Sequence, residues 1–238
     1  MVRKAAGAKV KEERLSKKDL PYVILMIVLD VLAPVFLMLG LKRTTAENAS
    51  LINNFEIAAT SLIALILFRE KISPKLWIAI ALITLSSIIL SIEDASGLRF
   101  SVGSAFVMAA CVSWGFENNM TRKLSMSDPL EIVVVKGLGS GTGALITALF
   151  AGESFPAVGH AVSVLILGFV AYGLSIYFYV YAQRFLGAAR TSAYYAVQPF
   201  IGVVLSLVIF RQLPGAHFYI ALVLMMAGTY LLVRDQGI

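Results

Sequence analysis

The sequence predicts an all-α polytopic membrane protein of eight transmembrane helices, built as what remains of two inverted five-helix repeats. Three observations carry this prediction. The 238 residues are 59% hydrophobic and only 14% charged, with a mean hydropathy of +0.85. A water-soluble domain is nearer half apolar and a quarter charged, so the solvent for most of this chain is lipid. The apolar residues fall into eight runs that approach or reach the ~20 needed to cross a bilayer core as helix. A stretch near residue 50 also recurs near residue 192.

The chain opens with a basic arm over 1–20, in which seven Lys and Arg outnumber three acids. The predicted spans follow at 21–41, 48–68, 75–92, 101–120, 130–151, 161–182, 191–210 and 216–233. Pro74, the run Glu93-Asp-Ala-Ser-Gly97, Ser127-Asp-Pro129, Gly152 to Pro156 and Pro214-Gly215 punctuate them. Such short connections make consecutive helices antiparallel and leave no room for a soluble domain. With the N-terminus in the cytoplasm, fifteen Lys and Arg fall on that side and four outside, while Lys136 lies within a span. The bias places both termini in the cytoplasm. The net charge of +6 therefore reads as topology, and nucleic acid is excluded as a partner. The lone Cys111 rules out a disulfide framework within the chain.

Shifting the chain by 142 residues places Phe68-Arg69-Glu70 on Phe210-Arg211-Gln212, Ser50 on Ser192 and Glu56 on Gln198. The register runs without a gap from 46 to 90, with Ile78 on Ile220, Ala79 on Ala221 and Leu90 on Leu232. The first three spans thus correspond to the last three. The sixth span comes five helices after the first, an odd step, so the two copies cross the membrane in opposite senses, an inverted-topology repeat. In this register the counterparts of the 101–120 and 130–151 spans would lie before residue 1. The chain is expected to lack the first two helices of a ten-helix pattern, as a fragment or as an eight-helix variant. It divides into the arm 1–20, an incomplete first unit 21–92 and a second unit 101–235.

The residues Gly40-Leu-Lys-Arg-Thr-Thr-Ala-Glu-Asn-Ala-Ser50, the Glu56 helix to Phe68-Arg-Glu-Lys-Ile-Ser73, and their echo from Ala188 through Gln198-Pro199 to Phe210-Arg211 resemble the EamA-type transporters of the drug/metabolite transporter superfamily. Trp114-Gly-Phe-Glu-Asn-Asn-Met-Thr-Arg-Lys-Leu124 is similar to the opening helix of a second EamA unit. The resemblance covers about residues 20–235. It implies two inverted five-helix units, a central substrate site, and export or exchange of small metabolites. Ile57 follows Glu56 where many members of the family have proline, as Pro199 does here after Gln198.

An ionisable side chain in the bilayer core is costly and faces a cavity or a partner. Asp30, Glu56, Glu117 and Lys136 are the candidates. Asp30 and Glu56 lie roughly 12–13 Å deep from opposite faces, near the midplane. Each is read as a substrate-binding or proton-coupling carboxylate, or else as a protonated carboxyl or a hydrogen-bonded helix link. Glu117, near the cytoplasmic end of its span, and Lys136 lie toward one face on consecutive helices and can pair. Asn53 and Asn118 flank the carboxylates, Gln198 stands in the Glu56 register, and Tyr172, Tyr177, Tyr194 and Tyr195 offer aromatic walls. Gly137-Leu-Gly-Ser-Gly-Thr-Gly143 lacks the Lys-Ser/Thr of a phosphate loop and reads as close helix packing. The isolated His160 and His217 make no metal site. No metal or cofactor is expected. The expected partners are the lipid bilayer and a small-molecule substrate, with a homodimer as an open option.

The function that follows is a carrier in the cell membrane, an exporter or exchanger of a small metabolite by alternating access. A non-transporting fragment or partner subunit is the alternative. An intramembrane enzyme is remote, because no HExxH, no Gly-Asp motif and no plausible Ser/His dyad lies within the helices.

Overall fold

The computed structural model describes residues 14–44, 49, 52–91, 101–153, 157–195, 197, 201 and 216–234. All regular structure among them is helical. Helix α1 spans Leu20–Leu41, begins with Pro21 in its first turn and contains Pro34. The chain then forms α2 over Phe55–Ile66, α3 over Pro74–Ser91, α4 over Val102–Leu124 and α5 over Pro129–Phe150. Helix α6, Val158–Leu167, continues through a π-helical stretch, Gly168–Leu174, into α7, Ser175–Leu186. Helices α8, Ala188–Tyr195, and α9, Ala216–Arg234, complete the described set.

Local chemistry fixes several of the ends. Ser101 and Ser104 cap the start of α4 reciprocally, each side chain meeting the other's backbone N–H. The Leu130 N–H donates to Asp128 Oδ1 at 2.8 Å, and Pro129 supplies a first helical residue with no N–H to satisfy. The Leu76 N–H donates to Ser73 Oγ at 3.0 Å at the start of α3. Gly187, at φ +82°, stops α7 in a conformation that favours glycine. A Cβ there would also run into the Glu70 carboxyl.

Among the described residues, three spans are long and apolar enough to cross a membrane on length and composition: Leu20–Leu41, Pro129–Phe150 and the continuous Val158–Leu186. Shorter apolar helices cover Phe55–Ile66, Pro74–Ser86 and Phe218–Arg234. The last span presents Leu165, Phe169 and Tyr172 outward, each about two-thirds exposed or more. That suits hydrocarbon and would be untenable in water over so long a surface.

Helix α1 lies along α4, α3 lies along α9, and α2 is held between α4 and α8. The α3–α9 seam is mainly apolar. Leu76, Ala79, Ile80 and Ile83 meet Phe218, Ala221 and Met225, and Ser86 Oγ donates to the Ala221 carbonyl.

One helix end and one packing face differ from the sequence expectation in ways that matter. Glu117 was expected near the end of a span closing at 120. Instead α4 runs to Leu124, leaving Glu117 about 10 Å inside the helix end at 1.5 Å per residue. Arg122 and Lys123 sit in its last turn, where basic residues suit the helix dipole and extend the helix past the hydropathy limit. The glycine-rich stretch packs on one side only. A Cβ on Gly139 or Gly143 would strike Ile27 or Val31 of α1, whereas Gly137 and Gly141 face open space. With 3.6 residues per turn, glycines two apart fall on nearly opposite faces, so only one pair faces α1.

Candidate functional site

Helix α4 is the hub of the buried polar core. Successive residues turn by about 100°, so Glu117, Asn118 and Asn119 fan out toward three different neighbours. All three are almost fully buried.

Glu117 faces α5. Its Oε1 accepts from Lys136 Nζ at 2.9 Å and from Thr121 Oγ1, one turn along α4. Lys136 Nζ also lies 3.4 Å from Asp30 Oδ1 on α1. The Lys136 and Glu117 side chains are 9% and 4% exposed, against 22% for Asp30, so the ammonium is clamped between two carboxylates out of water. The small faces of Gly139 and Gly143 let α1 and α5 approach closely enough for this contact.

Asn118 faces α2 and α7. Its Nδ2 donates to Glu56 Oε1 at 3.1 Å and to Thr60 Oγ1 at 3.2 Å, and its Oδ1 accepts from the Tyr179 hydroxyl at 3.1 Å. The Asn118 carbonyl accepts from Gln183 Nε2 at 3.0 Å. Tyr179 meets Tyr195 edge-on, with ring centroids 5.4 Å apart. Asn119 Nδ2 donates to the Thr60 and Gly115 carbonyls, tying α4 to α2. At the end of α7, Arg184 donates to the Ser125 and Ser127 carbonyls at 2.6 and 2.7 Å and fastens this end to the α4–α5 turn.

The structure therefore regroups the candidates. Asp30, read from depth alone as a companion of Glu56, sits on Lys136 instead. Glu117 and Lys136 meet, as consecutive helices allow. Glu56 is held by an amide and has no salt bridge among the described residues. Asn53 does not join Glu56; its backbone and side-chain oxygens lie near Cys111 Sγ at 3.7 and 4.0 Å. Tyr172 faces outward and walls no part of this core, because it lies about two turns from Tyr179 toward the opposite end of the span. Gln198 lies outside the described residues.

Thr60, Thr121, Tyr179 and Gln183 escaped the sequence reading. Thr60 and Thr121 stand four residues after Glu56 and Glu117, and Gln183 stands four after Tyr179. Polar residues at that spacing share a helix face. A search for polar pairs at this spacing inside apolar spans would have found them.

A bundle that turns apolar side chains outward and buries an ion cluster and an amide network within its spans is a multi-pass membrane protein of the helical type. The chain belongs to the EamA-like transporter family, whose model matches residues 5–92 and 101–234. An uncharacterized transporter of Methanothermobacter thermautotrophicus is 28% identical over 236 residues, covering 93% of this chain and 66% of that protein. The uncharacterized transporter YyaM of Bacillus subtilis is 23% identical over 206 residues, covering 83% of this chain and 68% of that protein. The chain thus spans about two-thirds of the length of these relatives. A protein of known crystal structure superposes with a TM-score of 0.74 at 19% identity, over 99% of this chain and 83% of the other. At that identity the likeness speaks to fold alone.

Proposed function

We propose that the chain is a carrier for a small metabolite, an exporter or exchanger in the cell membrane. In this reading it crosses the membrane eight times with both termini in the cytoplasm. It works by alternating access between two inverted units. The observation that carries the proposal is the buried polar core centred on α4. Ionisable and amide groups at that depth are costly to keep and mark substrate or proton paths. The α3–α9 seam supports the inverted pair, because these helices are equivalent in the 142-residue register and the matched Ala79 and Ala221 are both fully buried at their contact.

The two parts of the core take different roles. Asp30, Lys136 and Glu117 tie α1, α4 and α5 into one rigid group. Glu56, held through Asn118, is the carboxylate that binds substrate or exchanges a proton as access alternates. Tyr179 and Tyr195 form the aromatic side of the site, Asn53 lies beyond it toward the outer end, and Gln198 is the counterpart of Glu56 in the second unit. The test begins with a screen of small metabolites on the full chain reconstituted in sealed vesicles. Flux of the best substrate is then measured against pH in the wild type and in Glu56→Gln. Loss of flux, or loss of its pH dependence, is expected. Full retention of both removes Glu56 from the mechanism.

A further inference from the structure

We infer that the cleft between the α2–α3 turn and α8 is a binding site for a phosphate-bearing anion, either a lipid headgroup or a soluble phosphate. The cleft has a volume of about 410 Å³ and is lined by Arg69, Lys71 and Arg190, together with Ser73, Leu65 and Ile72. It lies at the end of the bundle that the charge count places in the cytoplasm, outside the α4-centred core.

Four features converge on it. The chain leaves α2 through Arg69 at φ +50°, the left-handed region that a long side chain seldom occupies. The turn is closed by the Glu70 N–H donating to the Ala64 carbonyl at 2.9 Å. This conformation brings Arg69 and Lys71 to the same cleft. Arg190 reaches it from α8, about 120 residues away in sequence.

The one acid lining the cleft is already engaged, since Glu70 Oε2 accepts the Ala188 N–H at 3.2 Å. Arg190 also acts on that carboxylate electrostatically, so the surplus over the acid comes from Arg69 and Lys71. The start of α3 adjoins the cleft at Ser73 and Pro74, but its Leu76 and Trp77 N–H groups are taken up by Ser73, so the positive charge at the cleft comes from the side chains. Leu65 and Ile72 add apolar lining, and the neighbouring Ile66 and Leu67 are 68% and 58% exposed. A lining that is both basic and apolar, at the end of the bundle, matches a phosphate group followed by an acyl chain, and basic pockets between spans take anionic headgroups. Topology alone would require the same number of charges. It would not gather residues from two distant segments into one cleft.

The full chain, purified in detergent, is tested by native mass spectrometry with equal amounts of dioleoyl-phosphatidylglycerol and dioleoyl-phosphatidylcholine. The double variant Arg69→Gln/Arg190→Gln is compared with Lys42→Gln/Arg43→Gln, which removes the same charge far from the cleft. The wild type and the control are expected to retain phosphatidylglycerol in preference. The cleft variant is expected to retain roughly 10- to 30-fold less. Lys71→Gln, an exposed single change, gives the same direction with a smaller loss and covers the case in which the double variant does not fold. Inorganic phosphate and pyrophosphate are then titrated against the bound lipid. Displacement at millimolar phosphate assigns the site to soluble phosphates, and resistance to displacement assigns it to the headgroup. Equal lipid retention by the wild type and both cleft variants, with no thermal shift on adding phosphate or pyrophosphate, overturns the inference.

Discussion

Two groups of buried polar residues radiate from α4, and they are finished differently. Around Glu117 a carboxylate meets an ammonium, with a second carboxylate close by and a threonine hydroxyl one turn away. Around Glu56 the carboxylate meets an amide, itself held by a tyrosine and a threonine, with no cation in contact among the described residues. The first group is charge-compensated and tightly clamped, as befits a fastening. The second lacks the opposite charge that would hold it in one state. Depth and residue type did not separate these two environments; partners did. On the proposed function, the carboxylate without a counter-ion among the described residues is the one assigned to exchange.

The comparison is broken most forcefully at Lys136. Lys136→Met leaves the buried Glu117 and the partly buried Asp30 without their shared cation, and removing one partner of such a cluster costs about 3–5 kcal/mol. Chemical denaturation in detergent should register a loss of that size. The triple variant Asp30→Asn/Glu117→Gln/Lys136→Met should recover most of it, since no unpaired charge remains. A loss below about 0.5 kcal/mol in the single variant would show that the clamp does not fasten the helices.

At the other group, Asn118→Ala removes the donor to Glu56 and the acceptor for Tyr179. Stranding buried partners costs about 1–3 kcal/mol. The same denaturation series checks this, and a loss as large as that of Lys136→Met would erase the distinction between the two groups.

The approach of α1 to α5 sharpens the comparison at the glycines. Gly139→Leu forces Ile27 aside and should cost roughly 1–3 kcal/mol by overpacking, loosening Asp30 from Lys136. Gly141→Leu, facing open space, should change stability by under about 0.5 kcal/mol. Equal effects would mean that the close approach is not what seats the clamp.

The smallest effect is expected at Glu70, outside the membrane spans. Burial lifts its carboxyl above the ordinary 4.5, against the pull of the Ala188 N–H and of Arg122 and Arg190. The folded chain therefore keeps this proton to higher pH than the unfolded chain does. The contribution is fully present below pH 4.5 and is lost as the pH rises through the folded value. Glu70→Gln, which also restores likeness to Gln212 in the repeat register, keeps the neutral state throughout. Thermal unfolding should show the variant gaining on the wild type as pH rises, with the gap closing toward pH 4.5. A gap that widens on acidification would reverse the assigned direction.

The membrane class was legible in the sequence because hydropathy depends on composition over a whole span. Local caps were legible in the same way, as with Asp128-Pro129. Which candidates met was not, because depth along a helix leaves the direction around it open. Asp30 and Glu56 reach similar depth, yet α1 turns Asp30 toward α5 while α2 turns Glu56 toward α4 and α7. The limit at residue 120 failed for a related reason. A hydropathy window stops at the first polar turn, whereas α4 buries Glu117 to Thr121 against partners that composition does not reveal. The glycine stretch reads as packing from spacing alone, but only the position of α1 tells which pair is packed.

The most direct test of the account is the pH profile of flux in sealed vesicles, measured for the wild type, Glu56→Gln and the Asp30→Asn/Glu117→Gln/Lys136→Met triple variant. If Glu56 is the working carboxylate, Glu56→Gln loses flux or flattens its profile while remaining folded, and the triple variant keeps a wild-type profile at reduced stability. A wild-type profile in Glu56→Gln together with a flattened one in the folded triple variant would contradict it and assign the work to the clamp.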